Sequence, residues 1–348
     1  MPADASFYAS QLRQELGLRN RRHATARAHV ESYGNPPVIV YAPENGRHGN
    51  FFDAAYAAIA ARPEWIRRFD KIHAQAARSL PKPEVEPARR WRELDSSMSS
   101  DALLMNVFCT PGVLDSTALR NALGIEDEVQ PVFGWKARVP LASGRFDRTE
   151  VDMRLGTLLV EAKLTEGDFQ SREASIVEAY RDFDAVFDRD LLPRIELILA
   201  RRKNPGEFPE AWSQEFESVV DTTLPAATLN ELQALSPSVL AAESFNASRI
   251  GQPGYCGYQL IRNVLAAYAT DCSFCVLHDD RRPDLREGWF RVLAAVKTAE
   301  LRVRLKVLTW QELAAMLPGK LQDFLDLKYG IVSPGKVPSP VGEVTDFA

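Results

Sequence analysis

Nowhere in the 348-residue sequence do apolar residues run unbroken for the roughly 20 positions that a membrane-spanning helix needs, so no membrane partner is expected. The opening stretch Met1 to Ser10 has no basic segment leading into an apolar one, so no secretory leader is expected either. Cysteine is scarce and irregularly spaced (Cys109, Cys256, Cys272, Cys275), which argues against a disulfide framework and for a reducing, cytoplasmic setting. Cys272 and Cys275 have the spacing of half a zinc site, but the second ligand pair is missing, and cysteines in an apolar run are expected to be core. No Gly-x-x-x-x-Gly-Lys-Ser/Thr segment occurs, which excludes an intrinsic ATP motor of that kind. Internal repeats and long biased tracts are also lacking.

A positive surplus is missing too: the net charge is −5. Phosphate binding depends on local patches, however. From Trp65 to Arg92 there are eight Lys/Arg against three Asp/Glu, and Arg19, Arg21, Arg22 and Arg27 form a second basic cluster. Acid gathers elsewhere, in Glu166 to Asp190 and Glu207 to Asp221.

What is present is an ordinary globular composition with a change of period along the chain. The first hundred residues read as helical. Phe7 to Leu16 is a short helix expected to end at Gly17, and Phe51 to Ala61 is Ala-rich. Glu64 to Leu80 places Trp65, Phe69, Ile72, Ala76 and Leu80 on one stripe, with Arg67, Arg68 and Lys71 away from it. His73 lies near that stripe and reads as packing. Pro81, Pro83 and Pro87 mark a linker, and Ser99 or Ser100 caps a helix running to Phe108. Asp101 at its first turn has a sufficient reason in the helix dipole.

Strands follow at Val132 to Leu141, Glu150 to Leu155 and Leu158 to Leu164. Helical signals return from Ser171 to Ala200, and Asn204 to Pro237 reads as helices and loops. Tyr258 to Tyr268 is a helix with Leu260, Ile261, Val264 and Leu265 on one face. Phe274 to Leu277 is a buried strand, ended by the polar His278-Asp279-Asp280. Arg286 to Glu300 is helical, and Val303 to Leu308 alternates with Arg302, Arg304 and Lys306 as the charged face of an edge strand. A helical pair follows, then a frayed tail from Pro334.

The chemistry concentrates between Glu150 and Leu164. Gly156-Thr157 suits a two-residue hairpin turn with positive φ at the glycine. Counting outward, Leu155 faces Leu158, Arg154 faces Leu159, Asp152 faces Glu161 and Glu150 faces Lys163. Alternation puts Glu150, Asp152, Glu161 and Lys163 on one face. Val151, Met153, Leu155, Leu158, Val160, Ala162 and Leu164 form a wholly apolar opposite face. Two carboxylates directly opposed are destabilising unless a cation lies between them. Lys163 supplies part of that charge, and Mg²⁺ suits the remainder, since it accepts one or two carboxylates with water and phosphate completing an octahedron. The plain alternative is an exposed face of mixed charge, with Lys163 paired to Glu150.

Asp152, then Glu161-Ala162-Lys163, on consecutive strands resembles the PD-(D/E)XK nuclease signature, with Val151 where the name has proline. Three further stretches resemble a bacterial group of restriction endonucleases in that superfamily: Pro63 to His73, Ser99 to Phe108, and Tyr258 to Arg262. The resemblance runs from about Asn50 to Val332. It implies an α/β (α+β-like) fold, a restriction-endonuclease-like core with a mixed central sheet flanked by helices, over residues 91–332. A helical N-terminal extension (1–90) and a flexible tail (333–348) would flank it.

It further implies a Mg²⁺-dependent endonuclease of restriction or defence type acting on DNA, with Mn²⁺ as a substitute ion. Asp152, Glu161 and the backbone carbonyl of Ala162 would hold the metal. Lys163 would position the attacking water or stabilise the phosphate charge; carboxylates nearby argue against its acting as base. Glu150 would be either a metal-side acid or the partner that orients Lys163. Gln259 would lie near the site or simply on a polar helix surface. Arg67, Arg68, Lys71 and Arg262 are candidate DNA contacts. A homodimer would suit cleavage of both strands. A repair or structure-specific nuclease with the same site, and an inactive nuclease-like binding module, are the other readings.

Overall fold

The structure is a computed structural model and describes residues 3–73, 80–81, 90–126, 129–148, 150–198 and 251–340. Its main sheet has five strands, which we label β1 (Pro131–Lys136), β2 (Glu150–Leu155), β3 (Leu158–Ala162), β4 (Ser273–His278) and β5 (Leu305–Thr309). They lie side by side in chain order. The first three form an antiparallel meander, and β4 and β5 then add in parallel to β3. The sheet is therefore mixed, as expected.

Helices cover both faces. We label them α1 (Ala3–Ala24), α2 (Ser100–Phe108), α3 (Tyr258–Ala269), α4 (Pro283–Ala294) and α5 (Gly319–Tyr329). One core layer joins Leu159, Phe274 and Val276 to Ile261 and Val264 of α3 and Trp289 of α4. The other joins Met153, Leu155, Leu158 and Val160 to Leu104 of α2, Leu12 and Leu16 of α1, and Leu321 and Leu325 of α5. β3 is buried along its whole length, which is why Leu158 to Ala162 reads as an apolar run broken only by Glu161. Among the described residues, no helix is long and apolar enough to cross a membrane.

Several expectations required correction. The first helix does not stop at Gly17 but runs through it to Ala24. A Cβ at Gly17 would meet only the Pro37 carbonyl at 3.9 Å, and packing against α5 sustains the last two turns. The helix expected over Glu64 to Leu80 is one turn, Pro63–Ile66, continued by a 3₁₀ turn, Arg67–Asp70. Lys71 is extended, because its carbonyl accepts the Glu93 N–H and Ile72 bridges to Arg92. Residues 74–79 lie outside the described residues.

Ser171 to Ile198, the described part of the stretch expected to be helical up to Ala200, is not a helical region. It holds strands Ser171–Glu173 and Arg194–Ile198, which both pair with Gly251–Cys256, and two one-turn helices. Pairing with a partner distant in sequence overrides the local helical period there. The helix expected to Glu300 ends at Ala294, and a separate turn, Ala299–Arg302, precedes β5. Arg302 therefore lies on a helix, and Arg304 pairs with Asp271 before the strand begins. The expectation for Asn204 to Pro237 lies outside the described residues, as do positions 341–348 of the tail.

Candidate functional site

The turn at Gly156-Thr157 has the expected register: Leu155 pairs with Leu158, Arg154 with Leu159 and Met153 with Val160, with Gly156 at φ +60°. Beyond Met153 the strands part. β2 stays with β1 as far as Glu150, opposite Lys136. β3 stays with β4 as far as Ala162, opposite Leu277. At the fork, Asp152 Oδ2 accepts the Ala162 N–H at 2.8 Å, so a carboxylate replaces the missing rung of the ladder.

Glu161 and Lys163 are buried, at 1% and 5% exposure. Lys163 Nζ donates to Glu161 Oε1 at 2.7 Å, and its backbone N–H donates to Leu277. The Trp310 indole N–H donates to the Lys163 carbonyl at 3.0 Å. Under the ammonium lies the Phe169 ring, 5.8 Å to its centre. Lys163 therefore pairs with its own strand neighbour and not with Glu150.

Glu150 is committed elsewhere. Arg68, on the 3₁₀ turn, donates to Glu150 Oε2 at 2.7 Å and to Asp101 Oδ2 at 2.6 Å. Lys71 pairs with Glu93 at 2.7 Å and lies 4.0 Å from Asp101. The predicted common face also breaks at this point. Val151 packs in the α3 layer, whereas Met153 and Leu155 pack in the α2 layer. The cause is Gly134, which lies where β1 would pair with Asp152. It has φ +62°, and an added Cβ would come within 2.5 Å of an Arg68 nitrogen. Only the rung at Gly134 and Asp152 is missing, and the register on either side of it is unshifted.

Burial pushes the Asp152 carboxyl well above the usual carboxylate range, and the charges of Glu161 and Asp101 add to the effect; Lys163 and the Ala162 N–H oppose it. Burial alone would lower the Lys163 ammonium, but Glu161, Glu166 and Asp152 outweigh it and raise it. The fork thus sets two carboxyl groups beside one ammonium. Among the described residues, no group of three or more His, Cys, Asp and Glu is arranged as a metal site. Two carboxylates with a backbone carbonyl nevertheless fit Mg²⁺, which keeps several waters. The Ala162 N–H points to Asp152, and the carbonyl of a strand residue shares the side of its N–H.

Other predicted residues are placed unevenly. Gln259 is half-buried; its backbone N–H donates to Phe169, and its side-chain oxygen is buried without a partner. Arg67 is exposed. Arg262 is not on a polar helix surface but buried, with its guanidinium on the Glu150 carbonyl at 2.9 Å and on Asn263 Oδ1. His278-Asp279-Asp280 contributes a structural pair, Asp279 with Arg281 at 2.6 Å.

Asn263 was not anticipated. Its side-chain amide donates to Glu161 Oε2 at 2.7 Å. The signal for it was a polar residue between Ile261 and Val264 on a buried helix. Glu166 was also missed: it accepts from Ser100 at 2.5 Å and from the Leu164 N–H at 2.6 Å. Arg282 fixes the same loop through the carbonyls of Glu166 and Gly167.

A mixed sheet whose forked central hairpin carries two acids and a lysine defines a restriction-endonuclease-like protein. Residues 18–330 match the family described as Restriction Endonuclease associating with ARP, and the chain belongs to that family. No curated protein and no solved structure matches it.

Proposed function

We propose that the chain is a Mg²⁺-dependent endonuclease of restriction type that hydrolyses DNA phosphodiester bonds at a PD-(D/E)XK-type site. The observation that carries this reading is the fork, where half-buried Asp152 and buried Glu161 stand beside one ammonium, which bonds to Glu161. Asp152, Glu161 and the Ala162 carbonyl would hold Mg²⁺, with Mn²⁺ as a substitute. Bound there, the ion would supply charge neutralisation at the phosphate and an acidified water.

The chain's own residues do the rest. Lys163 keeps its proton, because surrounding carboxylates outweigh its burial. In that state it can donate to a phosphate oxygen or hold the attacking water, and it cannot act as base. Asn263 and Lys163 fix both oxygens of Glu161. Glu150 supports the site indirectly by anchoring Arg68. Exposed Arg67 would meet DNA phosphates, while Arg68 and Lys71 are engaged with acids.

The test uses plasmid DNA with Mg²⁺ or Mn²⁺, beside Asp152→Ala and Lys163→Ala. Each variant should lose about 10²-fold or more of the cleavage rate. Equal cleavage by all three would overturn the site. Duplex binding with no cleavage of duplex, single-stranded or RNA substrates would make the fold a binding module.

A further inference from the structure

The two acid-bearing strand ends belong to different halves of the sheet, so something must set the gap between them. β2 pairs with β3 only from the turn to Met153. Past that point, three contacts make two links across the fork. One is Asp152 on the Ala162 N–H. The other two come from adjacent residues of α3. Arg262 binds the backbone carbonyl of Glu150 on β2 at 2.9 Å, and Asn263 binds the carboxylate of Glu161 on β3 at 2.7 Å.

The pair is also internally locked. Arg262 Nε and a terminal nitrogen donate to Asn263 Oδ1 at 3.1 and 3.0 Å. A guanidinium can only donate, so Oδ1 must face Arg262 and the amide NH₂ must face Glu161. Both residues are buried. A rigid helix thereby holds the backbone of one strand and the acid of the other through a single linked unit.

We propose that Arg262 and Asn263 are positioning residues that set the separation and orientation of the Asp152 and Glu161 carboxylates, and so the affinity of the fork for a divalent cation. This rests on the metal-binding reading above. Hydrogen bonds from outer residues to ligating carboxylates commonly govern metal affinity in this way. The arrangement also explains why two polar residues are buried between Ile261 and Val264, where each costs desolvation unless its bonds are made.

The experiment measures Mn²⁺ binding to the full chain by electron paramagnetic resonance, well below the unfolding temperature, alongside melting temperature and cleavage. Asn263→Ala leaves Glu161 held only by Lys163, and Mn²⁺ affinity should fall about 10- to 100-fold. Arg262→Lys keeps the charge but loses the fork that spans two carbonyls, so it should fall in the same direction by less. This variant also serves if Asn263→Ala fails to fold. Cleavage should be recovered in part by raising the Mn²⁺ concentration, which a purely structural role would not produce. If Asp152→Ala abolishes Mn²⁺ binding while both α3 variants bind as tightly as the parent, the positioning role is wrong and the site survives. If the parent binds no Mn²⁺, or Asp152→Ala binds it equally, the metal reading falls and this inference with it.

Discussion

Asp152 accepts the backbone N–H of Ala162 at 2.8 Å, in the place where a strand carbonyl would otherwise close the sheet. A side chain thus does the work of a ladder rung, and its charge is carried into the core. Burial and Glu161 raise its carboxyl well above the unfolded value. The folded protein therefore binds an extra proton in that window. The resulting stability is fully present in acid and lost as pH rises through the folded value. Asp152→Asn keeps an acceptor and removes the charge. In metal-free buffer its melting temperature should exceed the parent's at pH 7, with the gap closing below about pH 4. A variant no more stable than the parent at pH 7 would refute this.

Arg68 joins Asp101 and Glu150 across the site mouth while itself almost fully buried. Arg68→Ala removes the close partner of buried Asp101, leaving Lys71 at 4.0 Å, and frees a part-exposed Glu150, so it should cost about 3 kcal/mol or less in denaturant unfolding. Arg68→Lys keeps the charge without the two-pronged geometry and should recover part of that loss. Recovery of the full stability by lysine would show that charge alone matters.

Gly134 leaves the room that Arg68 fills. Gly134→Ala must place a Cβ at positive φ and against the guanidinium, and should destabilise by about 1–3 kcal/mol. In an Arg68→Ala background the steric part disappears, so the two effects should fall short of adding. Strict additivity would locate the strain in the backbone alone.

Lys328 is buried with no carboxylate partner among the described residues, bonded to Asn20 and between the rings of Tyr41 and Tyr329. Burial, then the charge of Arg27, lowers its ammonium well below the usual lysine range. The unfolded chain therefore binds more protons, and stability rises with pH from the folded value to about 10.5. Lys328→Met should raise the melting temperature by about 2 °C at pH 7, for roughly 1 kcal/mol gained. It should also flatten that pH dependence. A lower melting temperature would mean that the contacts to Asn20 and the rings outweigh desolvation.

Much of the hairpin was legible because its information is local. Gly156-Thr157 fixes the turn, and counting from it gives the pairs as far as Met153 and Val160. Ser99 as helix cap was legible for the same reason, since its Oγ meets the Ala102 N–H at 3.1 Å. The fork was not legible, because it depends on which neighbour each strand keeps. Gly134 is opposite Asp152 only once β1 has paired, and Arg68 arrives from about eighty residues upstream. Lys163 meets Glu161 and not Glu150 for that reason, since Arg68 holds the Glu150 carboxylate. Ser171 to Ile198 was misread because its strands exist only by pairing with Gly251–Cys256.

The family match begins at residue 18, inside α1, while Leu12 and Leu16 in the middle of that helix press on the core behind the hairpin. The packed helix thus extends beyond the matched residues. A fragment trimmed to the match would keep every acid and lysine of the fork, yet open an apolar slot along the back of β2 and β3. What lies upstream of the shared sequence serves as the wall against which the site is built.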